Sequence, residues 1–301
     1  MTTLKQLRIF VKVAEEGHMG EAASALGLTQ PALSQQLKLL EDQLGFKLFE
    51  RVPKGMQIAP PARDLLPRAR SVLNAVREFG DAADLAAHRP VGAVRFGVSP
   101  TIGPYLMPGV IGRLHREFPS LRIFIKEGIP SKQQAELSAG DLDMVLSPLP
   151  IESPRLHVEP LFREPLRIAA PPDDPLLSRD TVTKKDFAGR TFLTLDRRHH
   201  YHGQISAIAK QLGATILADY EGTSLDALQQ MVGSGVGLAV LPEIYVRSEA
   251  GGLDTVKIAE PEGWAEYRSI GAAWREQAAF ASVFHEIADI IADEARTRLA
   301  D

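Results

Sequence analysis

The stretch Gly20-Glu21-Ala22-Ala23-Ser24-Ala25-Leu26-Gly27-Leu28-Thr29-Gln30-Pro31-Ala32-Leu33-Ser34-Gln35-Gln36-Leu37 decides how the N-terminal part of the chain is read. Ala22 and Ala23 are small enough to let one helix approach the next closely, and Leu26, Leu28, Leu33 and Leu37 fill the space between them. Gly27 suits a left-handed helix end. Thr29 is a good N-cap, and Pro31 falls in the first turn, where a missing N–H costs nothing. Two short helices joined by so tight a turn predict a helix-turn-helix. The second helix presents Gln30, Ala32, Ser34, Gln35 and Lys38. Amides suit adenine edges, small residues suit thymine methyls, and hydroxyl and ammonium groups suit phosphates. Thr29 and Pro31 bring the helix N-terminus, with its donors and dipole, toward the same ligand. Any small helical domain has a polar helix face. Here the turn chemistry and the helix that follows favour double-stranded DNA as the partner.

Working outward, Leu4, Leu7, Phe10, Val11 and Ala14 form one apolar helical face that stops at Gly17. The middle helix is expected over Glu21 to Leu26, and the third from Thr29 with Leu33, Leu37 and Leu40 behind it. Phe46–Phe49 and Met56–Ile58 flank Val52-Pro53-Lys54-Gly55, which predicts a small hairpin whose Arg51 and Lys54 touch the DNA backbone as a wing. These elements make a winged helix-turn-helix domain over 1–60. Residues 61–88 read as one long helix. Its Leu65, Ala69, Val72, Val76, Phe79 and Ala83 alternate four and three apart, opposite Arg68, Arg70, Arg77, Glu78 and Asp84. That narrow stripe predicts a dimerising linker helix; the alternative is a helix packed on its own domain. Arg89-Pro90-Val91-Gly92 then breaks the chain.

Residues 93–301 alternate strand-like and helix-like stretches. Strands are expected at Val94–Val98, Leu121–Lys126, Met144–Leu146, Leu166–Ala169, Thr191–Leu195 and Gly237–Leu241, with helices to about Phe118 and over Ser131–Ala139. The pattern predicts an α/β domain with mainly parallel sheets, long enough for two lobes around a cleft. The whole chain is thus α+β and multidomain.

Composition narrows the chemistry. The chain has 301 residues, no cysteine and a net charge of −4. Disulfides, thiolate metal sites and cysteine nucleophiles are excluded. The acidity looks unfriendly to DNA, but residues 1–70 carry 10 Lys/Arg against 7 Asp/Glu, and the remainder carry 24 against 31. No apolar run is long enough to span a bilayer, and polar Gln6, Arg8 and Lys12 come too early for a signal peptide, so a cytoplasmic protein with no membrane partner is expected.

With these residues in view, the chain resembles the LysR-type transcriptional regulators. The matching run is Gly17 to Arg51, ending Gln30-Pro31-Ala32-Leu33-Ser34…Leu40-Glu41…Leu44-Gly45…Leu48-Phe49-Glu50-Arg51. One departure is Ile58-Ala59-Pro60-Pro61-Ala62, in place of the usual Leu-Thr-x-Ala-Gly. The resemblance implies a C-terminal domain like the periplasmic binding proteins, with lobe I at about 93–161 and 268–301, lobe II at about 162–267, and a small-molecule effector between them. It also implies RNA polymerase as a partner and a homodimer that assembles to a homotetramer.

In such lobes, ligands sit at strand C-termini and helix N-termini. The corresponding positions are Ser99, Pro100 and Thr101; Gly128 and Ser131; Ser147 and Pro148; and Thr223 and Ser224. Hydroxyls at helix starts suit an anion, although each can serve as a plain N-cap. Gly97 to Pro108, Ser138 to Asp143, Pro160-Leu161-Phe162 and Thr223-Ser224-Leu225 resemble the peroxide-sensing OxyR branch. In that branch a sensing cysteine follows a histidine. In the corresponding loop, Leu195 to Gln204, His199 matches that histidine and His200 stands where the cysteine would be. A thiol switch is excluded. Arg198, His199, His200 and Tyr201 are expected to line the effector cleft and bind an anion. A metal held by His199, His200 and His202 and a solvated turn are the competing readings; with no cysteine and no fourth ligand, neither a metal nor a cofactor is expected.

Enzyme signatures are missing: there is no Gly-x-Ser-x-Gly elbow, Walker loop or dinucleotide fingerprint. Gly233-Ser234-Gly235-Val236-Gly237 precedes a strand and suits close packing better than phosphate binding. The expectation is a non-enzymatic, effector-responsive DNA-binding regulator. A solute-binding protein with an accessory helical domain is the alternative; a redox regulator working through partner proteins could not use thiols.

Overall fold

The computed structural model describes residues 2–53, 55–87, 93–248 and 255–300; of 81, 82 and 84–87 only the backbone is described. Lys54 and the Arg89-to-Gly92 break therefore lie outside the described residues, as does the side chain of Asp84. The chain divides into two compact units, residues 1–87 with 139–141 and residues 88–138 with 142–301.

In the first unit, helix α1 spans Leu4–Glu16. Its start is a capping box. The Thr3 hydroxyl accepts from the Gln6 N–H at 3.3 Å, and the Gln6 side chain accepts from the Thr3 N–H at 2.9 Å. Helix α2 is Met19–Ala25, two residues earlier than the apolar pattern indicated. Helix α3 is Gln30–Leu44, with the Thr29 hydroxyl accepting from the Ala32 N–H at 3.4 Å. Ile9, Phe10, Val13, Ala22, Ala23, Leu33, Leu37 and Leu40 meet in one core.

The wing is an antiparallel hairpin of β1, Phe49–Val52, and β2, Gly55–Ile58. Its first strand begins later than Phe46, because Leu48 is fully buried and its N–H donates to the Glu41 carboxylate at 2.9 Å. Gly55 has φ +124, and a Cβ there would lie 2.3 Å from the Gly17 carbonyl oxygen. Only glycine fits that approach. Helix α4, Leu65–Ala87, starts four residues after Pro61. Two consecutive prolines hold Ala59 extended and Pro60–Ala62 in a tight 3-10 turn. The apolar stripe of α4 divides. Leu65 and Ala69 pack on the helix-turn-helix core, whereas Val72, Val76 and Phe79 are exposed, Phe79 at 78%.

In the second unit, β3 (Ala93–Val98), α5 (Gly103–Glu117), β4 (Arg122–Glu127), α6 (Pro130–Ala139) and β5 (Met144–Pro148) build lobe I. The long strand β6, Leu156–Ala170, leads to β7 (Thr191–Leu193), α7 (His200–Gln211), β8 (Thr215–Ile216), α8 (Leu225–Gly233), β9 (Leu238–Pro242), α9 (Glu243–Ser248) and β10 (Lys257–Ile258) of lobe II. Strand β11, Tyr267–Arg275, returns to lobe I, and α10, Ala281–Leu299, closes it.

Among the described residues the strand order is β4-β3-β5-β11-β6-β9-β7-β8, with β10 beside β6. Each outer half is parallel, as the alternating pattern indicated. The centre is not: β11 runs antiparallel to β5 and β6, and β6 antiparallel to β9 and β10. A strand of 15 residues reaches about 50 Å at ~3.3 Å per residue, enough to serve both lobes. Up to Pro165 it pairs with β11, and from Leu166 with β9.

Candidate functional site

Most of the residues expected to contact DNA lie on α3. Gln30, Pro31, Ser34, Gln35 and Lys38 on α3 are exposed, as is the cap Thr29, while Ala32 is half-buried. Leu33, Leu37 and Leu40 turn the opposite face into the core. The amphipathic period thus separates the residues expected to read DNA from those that anchor the helix. Arg51 is exposed on β1; Lys54, its expected companion, lies outside the described residues.

In the sensing unit a cleft of about 650 Å³ opens between the lobes, a volume typical of small-molecule sites. It brings together Ser131 at the start of α6, Pro148 at the end of β5, and Arg198, His199 and His200 at the start of α7. Two helix N-termini therefore meet at it, each with first-turn N–H groups that have no intrahelical acceptor. His199 is the N-cap of α7 yet makes no side-chain capping bond, leaving that end open.

The loop's charges are partly spoken for. Arg198 forms a fork on Asp196, with Nε to Oδ1 at 2.9 Å and Nη2 to Oδ2 at 2.6 Å. That fork and the Arg198 backbone N–H hold the Asp196 carboxyl well below the usual carboxylate range. Arg197 is looser, 3.7 Å from Glu221. Burial lowers the His199 pKa, only partly offset by Asp196, which disfavours the protonated ring at this position. The His202 ring is engaged by the Leu195 carbonyl at 3.2 Å. Among the described residues, His199, His200 and His202 do not converge as a ligand set.

Several expected residues are elsewhere. Tyr201 does not face the cleft: it is 3% exposed, and its hydroxyl donates to the Val240 carbonyl inside lobe II. Burial accordingly raises its pKa. Ser224 caps α8, accepting from the Ala227 N–H at 3.1 Å, and neighbouring Thr223 is exposed outside the cleft lining. Gly128 is half-buried against Gln133, Ser147 is buried without a hydroxyl partner, and Pro100 is half-buried. Ser99 and Thr101 are buried, their hydroxyls 3.2 Å apart.

The partner of Thr101 is Arg268, which sequence reasoning missed. Arg268 donates to the Thr101 hydroxyl at 2.8 Å, to the Thr101 carbonyl at 2.9 Å and to Glu164 at 2.7 Å. The other Glu164 oxygen accepts from the Ile244 N–H at 2.8 Å. This buried network joins β6 and β11 to the turn that precedes α5 and to the first turn of α9. No local pattern marks it, because its members are far apart in sequence. Gln134, Leu149 and Pro150, which also line the cleft, had no signal either.

A helix-turn-helix with an exposed amide-rich face and a two-lobed unit around a cleft are the two parts of a DNA-binding transcriptional regulator with a substrate-binding domain. The comparisons agree: the bacterial regulatory helix-turn-helix family of LysR type matches residues 4–63, and the LysR substrate binding domain matches residues 87–296. The chain belongs to the LysR family of DNA-binding transcriptional regulators and is not an enzyme. It is 32% identical over 290 residues to the DNA-binding transcriptional dual regulator OxyR of Escherichia coli, covering 96% of this chain and 94% of that one. A probable hydrogen peroxide-inducible genes activator of Streptomyces viridosporus is 33% identical, covering 98% and 95%. Among solved structures, a full-length cysteine-to-aspartate variant of OxyR from Pseudomonas aeruginosa superposes with a TM-score of 0.77 at 28% identity, covering 98% of this chain and 95% of that one. No helix among the described residues is long and apolar enough to cross a membrane.

Proposed function

We propose that this LysR-type regulator changes its operator binding or promoter activation when a small anionic effector enters the cleft between its lobes. The observation that carries this reading is the meeting of the α6 and α7 N-termini at one cleft of about 650 Å³, with Arg197 only loosely paired beside them. Helix N-termini supply donors and positive potential to an anion. The chain has no cysteine, so the signal is not a thiol switch even though its relatives include peroxide-inducible activators. The exposed Val72, Val76 and Phe79 stripe supports a homodimer through α4, which in turn assembles to a cytoplasmic homotetramer that acts on RNA polymerase. The effector works by binding one arrangement of the assembly more tightly than another.

A thermal-shift screen of small carboxylates and inorganic anions identifies the ligand, and footprinting with the hit tests the response. Combining His200→Ala with Arg198→Ala weakens that response and leaves operator binding intact; unchanged induction in the double variant overturns the reading. A solute-binding protein with an accessory helical domain is separated by gel shift across salt, because only a DNA-binding regulator loses duplex affinity steeply as salt rises.

A further inference from the structure

We propose that His157, Glu159 and His285 form a site for one transition-metal dication, with Zn²⁺ the best fit. His157 and Glu159 are two residues apart on β6, so their side chains leave the same face of the strand. Helix α10 crosses that face and adds His285. Both imidazoles address the same carboxylate oxygen: Glu159 Oε2 lies 2.9 Å from His285 Nδ1 and 3.6 Å from His157 Nε2. One candidate ligand atom from each residue falls within 4.8 Å of the other two. Zinc bonds of about 2.1 Å in a tetrahedron set the ligands about 3.4 Å apart, between the two shorter distances.

An ordinary ion pair explains His285 beside Glu159 but not a second imidazole turned to the same oxygen, where two protonated rings would repel each other. A dication between two neutral imidazoles and a carboxylate removes that conflict. The donor set selects the metal class: two nitrogens and one oxygen suit zinc, nickel or cobalt better than calcium or magnesium.

The rings are already oriented. Trp274 stands opposite His157 in the β6–β11 pairing, with its ring 4.6 Å from that of His157 and 4.8 Å from that of His285. Glu159 keeps 27% of its side chain exposed and His285 51%, so an ion has a path from solvent and water can fill the fourth position. The site lies on lobe I. When filled, it ties α10 to the strand that runs on into lobe II.

The test is a calorimetric titration of Zn²⁺ into the full-length chain, free of any polyhistidine tag and stripped by chelator. One equivalent binds the unaltered protein. His157→Ala and His285→Asn each weaken binding by more than about 100-fold, beyond the 10–100-fold that outer partners of metal ligands contribute. The triple variant His199→Ala, His200→Ala, His202→Ala keeps the equivalent. Co²⁺ quenches tryptophan fluorescence in the unaltered chain but not in His285→Asn, whose exposed helical position spares the fold if His157→Ala does not. Absence of Zn²⁺ uptake by the unaltered protein overturns the proposal, and so does equal uptake by His285→Asn.

Discussion

In the DNA-binding unit, most of the residues expected to face DNA lie on the exposed face of α3, opposite the Leu33, Leu37 and Leu40 that enter the core. In the sensing unit, the residues expected at the ligand come from five separate chain segments, and the fold divides them. Ser131, Pro148 and Arg198 to His200 reach the cleft; Thr101 and Tyr201 do not. A helix face can change its reading residues without touching its packing. A cleft assembled from strand ends shares residues with the core, so recognition and stability are entangled there.

The sharpest way to break this contrast is at the buried network. Arg268→Ala leaves Glu164, which is 0% exposed, without its cation, and should cost about 3–5 kcal/mol in denaturant unfolding of the sensing unit. A loss below 1 kcal/mol would place the pair outside the load of the fold. Next comes the reading helix. Gln35→Ala should remove about 1–3 kcal/mol of discrimination between operator and non-operator duplex with unfolding unchanged. Equal loss on every duplex would make Gln35 a backbone contact. Thr29→Ala removes the cap of α3 and should lower stability by about 1 kcal/mol, read as a shifted melting midpoint of the N-terminal unit.

The smallest expected effect is pH-linked. Burial works to raise the Glu243 pKa, but its bonds to Arg167 and Arg247 more than offset this and leave it lowered. A carboxylate lowered by folding adds stability that is present above its unfolded pKa and fades as pH falls through the folded value. Arg247→Met should therefore flatten the acid limb of the unfolding profile; an unaltered limb would remove Glu243 from the account.

The DNA-binding unit was almost wholly legible. Its caps, turns and apolar period are local, so Thr29, Gly17 and the Leu33–Leu37–Leu40 face could each be read from neighbours in sequence. Errors occurred where tertiary contacts override local pattern. Leu48 reads as a strand residue but is held by Glu41, and Leu65 and Ala69 read as dimer stripe but are covered by the unit's own core. The sensing unit's alternation was equally clear, and its parallel outer strands followed. Its antiparallel centre did not, since nothing in Leu156–Ala170 says which strands will flank it.

Amino-acid order alone settled the class of protein, the helix-turn-helix with its polar outer face and, through the missing sulfur, the exclusion of thiol chemistry. All three depend on residue identity and spacing within one element. Tertiary structure alone decided that Thr101 belongs to Arg268, that Tyr201 belongs to the core, and that Glu159 meets His285 across 126 positions of chain, with His157 beside it. Such pairings are set by how strands and helices stack after the chain has folded back on itself. Local periodicity records which face of an element is buried, and it carries no information about what that face will meet.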